Sequence, residues 1–198
     1  MSGFTLQIDL RESTGQLINN LAFTEDMINQ AVRRALKRTG VWFRTHTKRA
    51  IGRELGIAQK ALNRRYRVTV SRNKPTLSIW VGVLAIAAHK TGDPRQNAAG
   101  VQVQEQYDGA FAANMFGNGE RVYIRTAVNA EQGHVTVAKT GQKLVNQNRV
   151  HRHRFPVEVV GMEISDSSLA ILERYEKLVN KRYKRFLQHE INYIINYA

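Results

Sequence analysis

Between residues 33 and 74 the chain carries fourteen lysines or arginines and a single acid, Glu54. The net of +13 in this stretch nearly equals the +14 of all 198 residues, so the remainder is close to neutral. Charge this concentrated repels itself unless solvent or a partner answers it. Any element formed here must turn its cations to one side. Where a partner and not solvent meets that side, the composition points to a polyanion or an acidic protein surface.

The spacing shows how the cations are sorted. Thr24 is a candidate N-cap, and Glu25 and Asp26 follow in a first turn where acids suit the helix dipole. From there to about Arg53 the period is helical. At about 100° per residue, Ile28, Ala31, Val32, Ala35, Thr39, Trp42, His46 and Ala50 share one arc. Arg33, Lys37, Arg44 and Lys48 share the opposite arc, with Arg34, Arg38 and Arg49 on one flank. Trp42 is expected to be largely buried. Gly40 costs about 1 kcal/mol inside a helix and marks a candidate bend. No acids are interleaved to form i,i+4 pairs. The basic arc is therefore either a solvated face or a contact for DNA or an acidic partner.

Strands are read from period-two alternation. Phe4, Leu6, Ile8 and Leu10 alternate with polar residues, within an N-terminal arm or strand over 1–23. Tyr66–Ser71 and Thr76–Val83 form an antiparallel pair across the turn Asn73-Lys74-Pro75. Asn118-Gly119 signals a second hairpin leading into Arg121–Ala127, and Pro156–Val160 is another extended run. Residues 85–100 lack periodicity around Asp93-Pro94, and Val101 and Val103 then alternate with Gln102 and Gln104 in a short extended piece. The segment 84–106 as a whole is expected as an extended loop, of the kind that carries function. Over 165–198, apolar residues recur at spacings near three and four behind a cap at Ser165 or Ser167. This predicts a helix of about 30 residues, or about 45 Å. The expected class is α+β in a single domain, residues 1–198. A small, mostly antiparallel sheet of 66–71, 76–83, 121–127 and 156–160 packs on the basic helix. Tyr175, Val179, Tyr183 and Phe186 of the over-long terminal helix are candidate intersubunit contacts.

Several chemistries find no support. The chain has no cysteine, which removes disulfides, cysteine zinc sites and thiol catalysis. No apolar run approaches the roughly 20 residues that span a bilayer, and no secretory signal core is visible, so no membrane role is expected. His151-Arg152-His153 is a poor metal site beside arginine and without a carboxylate close in sequence. The stretch 54–65 resembles a helix-turn-helix only superficially, because its second helix runs straight into a strand. No phosphate loop, nucleophile elbow or paired carboxylate is present, so no catalytic residue, cofactor or metal is nominated. The expectation is not an enzyme.

The order of the pieces says more than any one of them. AVRRALKRTG is followed by GIAQKALNRR and the strand RYRVTV, then by GAF at 109–111, VYIRTA at 122–127, PVEVV at 156–160 and the terminal helix. From about Ile28 to Ala198 this set resembles the phage minor tail protein Z family, the tail-completion proteins of long-tailed phages. The resemblance implies a structural virion protein of the neck or tail end, assembled in the host cytoplasm. It implies a homo-oligomeric ring, six- or twelve-fold, that completes the tail and helps join it to the head. Neighbouring tail and neck proteins would be its partners. In such a ring the basic face of Arg33, Lys37, Arg44 and Lys48 would either line a channel in sequence-independent contact with genomic DNA or dock on an acidic neighbour. The alternative from the residues alone is an independent, non-enzymatic nucleic-acid-binding protein using 33–74. That reading predicts a monomer or dimer with sequence preference.

Overall fold

The computed structural model describes residues 3–9, 25–71, 76–115, 117, 119–128, 135–138 and 157–197. The chain divides into two compact units, one of residues 1–51, 62–83 and 167–198, the other of 52–61 and 84–166. The class is α+β. Thr24, the turn 73–75, Asn118 and His151–His153 lie outside the described residues.

The elements belonging mostly to the first unit are β1 (Gly3–Asp9), α1 (Glu25–Glu54), β2 (Tyr66–Val70), β3 (Thr76–Gly82) and the last helix of the chain. A four-residue helix, α2 (Gln59–Leu62), precedes β2, and the last helix is α3 (Ser165–Tyr197). β3 is the central strand, antiparallel to β1 on one side and to β2 on the other. Leu77, Ile79 and Val81 of β3 are buried, which is the alternation of a sheet with one covered face.

α1 runs unbroken through Gly40. A Cβ at Gly40 would lie 2.5 Å from Val68 Cγ1 and 3.1 Å from Leu77 Cδ1. The glycine therefore marks close approach of helix to sheet. The buried stripe of α1 is also wider than the expected arc. Leu36, Phe43 and Ile51 are fully buried, and so are Thr39 and Thr47. Those two hydroxyls donate to the carbonyls of Ala35 and Phe43 at 2.8 and 2.7 Å, so burying them leaves no donor unsatisfied. Trp42, expected largely buried, is half-buried. Phe43 fills the core in its place, and Trp42 turns toward α3. The start of α3 is held by Glu163, whose carboxylate accepts the backbone N–H groups of Ile164 and Ser165 at 3.2 and 3.0 Å. That carboxylate satisfies two backbone N–H groups at the entrance to the helix.

The second unit contains short strands: β4 (Ile86–Ala87), β5 (Arg95–Gln96), β6 (Gly100–Gln102), β7 (Gln106–Asp108), β8 (Ala110–Ala113), β9 (Arg121–Val128), β10 (Val135–Ala138), β11 (Val157–Val159) and β12 (Gly161–Met162). β9 pairs antiparallel with β8, β10 and β11, β12 pairs with β4, and β5, β6 and β7 form a small meander. Ala88, Val101, Tyr107, Ala110, Val122, Ile124 and Val160 form its core. The single sheet expected from 66–71, 76–83, 121–127 and 156–160 is therefore two. A strand has two edges, and those of β3 are taken by β1 and β2, which leaves none for β9 or β11.

The segment 84–106, expected as a loop, is ordered by β4, a 3₁₀ turn at Ala88–Lys90, β5 and β6. Strands of two or three residues are too short to display alternation. They are held instead by specific contacts. Asn97 Oδ1 accepts the N–H groups of Ala99 and Gly100 at 3.0 and 2.8 Å. The Gln96 amide donates to Gly100 O at 2.8 Å and accepts from Ala112 N at 3.0 Å. The expected second hairpin is present as β8–β9, with Gly117 and Gly119 in its turn at φ of 67° and 78°.

Candidate functional site

α1 places its cations as the wheel requires. Arg33, Lys37 and Arg44 are exposed, and Lys48 is half-buried, its ammonium donating to Asn63 Oδ1 at 2.9 Å. The strip is continuous along one helix, and its sign is uniform. Further along, Arg53, Lys60, Arg64 and Arg67 are also exposed, while partial burial holds the Arg65 guanidinium below its ordinary pKa. α1 ends at Gly56, φ 64°, where Ile57 N donates to Gly52 O at 2.9 Å and Gly56 N to Arg53 O at 3.3 Å. α2 beyond it is one turn long, too short to serve as a recognition helix. What the strip of Arg33, Lys37, Arg44 and Lys48 offers chemically is sequence-blind attraction for phosphates or carboxylates.

The four residues singled out on α3 have different surroundings. Val179 and Tyr183 are buried at 1 % and 0 % exposure, within the chain's own core. Tyr175 and Phe186 are half-buried and face α1. Tyr175 lies 5.9 Å from the Trp42 ring and stacks on His46 at 6.4 Å with an interplanar angle of 16°. Arg38 sits 5.0 Å above the Phe186 ring and donates to Glu190 Oε1 at 2.7 Å. The apolar surface that α3 leaves outward is instead on Leu178, Tyr193 and Ile195, each about half exposed.

Two features escaped the sequence reading. The first is the Arg38–Glu190 ion pair, 152 residues apart in sequence, whose carboxylate side chain is only 11 % exposed. The second is a pair of guanidiniums on aromatic faces, Arg182 over Trp42 at 5.3 Å and Arg174 over Tyr175 at 5.5 Å. The interleaving of basic and aromatic residues near 181–186 was the available signal for the second. Nothing local could have paired Arg38 with Glu190.

In the second unit an open cleft of about 480 Å³ is lined by Asp93, Arg95, Gln96, Asn97, Gln102 and Gln104, among others. It offers amides, one carboxylate and one guanidinium, and no nucleophile beside a base. His89 is half-buried, and burial, then Arg121 and Lys90, hold its imidazole below the ordinary pKa. Among the described residues, no three His, Asp or Glu side chains converge as metal ligands. Nor, among the described residues, is any helix long and apolar enough to cross a membrane.

A family model described as prophage minor tail protein Z (GPZ) matches residues 14–197. No curated protein and no solved structure matches.

Proposed function

This chain belongs to the prophage minor tail protein Z family, and from that premise we propose that it is the tail-completion component of the neck or tail end. Membership makes it a structural protein of the phage tail, located in the virion and associated with other tail proteins. The finer reading is a six- or twelve-fold ring around the tail axis that helps join the tail to the head, with the 198 residues acting as one tail-completion domain. It acts by assembly and carries no catalytic step.

The observation that carries the finer reading is the basic strip of α1. Arg33, Lys37 and Arg44 are exposed on one face of a long helix, and Lys48 continues the line. In a ring, such a strip repeats with the symmetry and lines a channel with positive charge, where DNA passes without being read. An image of the purified particle's neck with this chain located tests it. A ring about the axis with α1 inward supports the reading. A monomer or dimer that prefers one DNA sequence, or particles that lack the chain, overturns it.

A further inference from the structure

α3 has a second charged flank, separate from the strip on α1. On a wheel of about 100° per residue, Arg174, Leu178, Arg182, Arg185 and Tyr193 share it. Asp166, Glu173 and Glu176 fall elsewhere on that wheel, and Glu190 is buried in its pair with Arg38. The flank is therefore positive, with no acid of its own helix to answer it.

Three properties say what it fits. Arg182 and Arg174 rest on the rings of Trp42 and Tyr175, so their side chains are already ordered. A guanidinium held this way loses less freedom on pairing with a carboxylate, and its planar fork matches that group in two-point fashion. Leu178 is 44 % exposed and Tyr193 50 % exposed on the same flank. A phosphate backbone gives such apolar surface nothing, whereas a protein segment covers it. Lastly, tryptophan, tyrosine and arginine in one cluster are the residues that dominate protein–protein binding energy.

We propose that this flank, with Arg182 on Trp42 at its centre, docks an acidic, partly apolar segment of a neighbouring tail protein. The proposal rests on the tail reading above and adds the place and chemistry of the contact. It also separates the two basic surfaces of the chain, one for DNA on α1 and one for protein on α3.

The test is a photo-crosslinking residue in place of Leu178, in particles assembled with the full chain. An adduct to an acidic segment of another tail protein is the expected result. An adduct to DNA, an adduct to a second copy, or no adduct in assembled particles overturns the docking proposal while leaving the tail reading intact. Particles that never contain the unsubstituted chain would instead sink the tail reading. A companion pair of variants reads the charge. Arg174→Glu with Arg182→Glu should lower incorporation into tails about tenfold. Lys177→Glu with Lys184→Glu, the same charge change off the flank, should leave it within about twofold. Arg182→Lys, which keeps the charge and the fold but loses the flat fork, should fall between them. If the flank pair loses duplex-DNA affinity while incorporating normally, the occupant is DNA and the proposal fails.

Discussion

In the first unit, helices of 30 and 33 residues and a three-stranded sheet close around large side chains such as Phe43, Leu36 and Tyr183. In the second unit β9 is the one described strand longer than four residues, and amide side chains and glycine do much of the holding. The first is stabilised mainly by apolar area spread over long elements. The second has a smaller apolar core and relies beside it on a few specific contacts. Long elements tolerate small errors because the burial is shared. Short ones fail at single atoms.

The largest expected effect tests the first half of that contrast. Phe43 is fully buried on α1, and Phe43→Ala should cost about 4 kcal/mol through lost burial and a residual cavity. Denaturant melts give the magnitude, and segment-resolved hydrogen exchange gives the place. Protection should fall across 25–51 and 66–82 while β8 and β9 keep theirs. If both units lose protection together, they form one cooperative body and the comparison breaks.

Next in size is Gly100→Ala. A Cβ there would lie 2.1 Å from Tyr107 O and 3.0 Å from both Asp108 Cα and Gly109 N. These are backbone atoms of the paired strand β7 and its turn, and they cannot rotate away. The cost should be about 3 kcal/mol, the upper part of the range for overpacking. The loss should be confined to β5–β9. A variant as stable as the parent would mean that the meander is soft, and the idea of holding by single contacts would go.

The same contrast explains what the sequence made legible. The periods of α1, α3, β2 and β3 are long enough to read, and each was placed within a few residues. So were the tip of the β8–β9 hairpin and β9 itself, signalled by Asn118-Gly119, but β8 was not, since Gly109-Ala110-Phe111 reads as a turn. Of the meander only the extended piece at 101–104 was legible, overlapping β6. β5 and the pairing were not, since β5 and β6 have two and three residues and their order comes from Gln96 and Asn97 reaching distant backbone. The partition of strands into two sheets was also hidden, because alternation says which face is buried and not which edge is free. At the candidate site the basic strip followed from spacing alone. The Arg182–Trp42 and Arg38–Glu190 contacts needed the packing of two helices far apart in sequence.

A smaller effect compares one buried tyrosine in each unit. Burial pushes the Tyr66 phenol up to about 12, an effect that its contact with Thr47 and the nearby charge of Arg44 partly oppose. Burial also raises Tyr107, and there the neighbouring Glu105 adds to the rise. In both, the folded chain holds the proton more tightly than the unfolded chain. Stability is therefore complete below pH of about 10 and falls as pH rises toward and through the folded value. For Tyr66 the loss should stay just under about 3 kcal/mol. Tyr66→Phe should remove the alkaline loss from the first unit and leave that of the second. Unchanged alkaline sensitivity around β2 and β3 would show that Tyr66 is open to solvent.

The smallest effect concerns Gly40, where two terms of opposite sign meet. Alanine in a helix is worth about 1 kcal/mol over glycine. Against that, the added methyl would press on Val68 Cγ1 at 2.5 Å and Leu77 Cδ1 at 3.1 Å. Overpacking of this kind costs about 1–3 kcal/mol, and here the opposing atoms are side-chain methyls that can yield slightly. The net should be a loss of about 1 kcal/mol. Val68→Ala supplies the missing space, so in its background Gly40→Ala should cost nothing or stabilise. That sign change is the discriminating result. It would show that even the forgiving unit has one point, where α1 meets β2 and β3, at which a single methyl decides. A stabilising Gly40→Ala in the parent chain would mean that the helix can lift from the sheet without penalty. The first unit would then tolerate single-atom errors throughout, which the second does not.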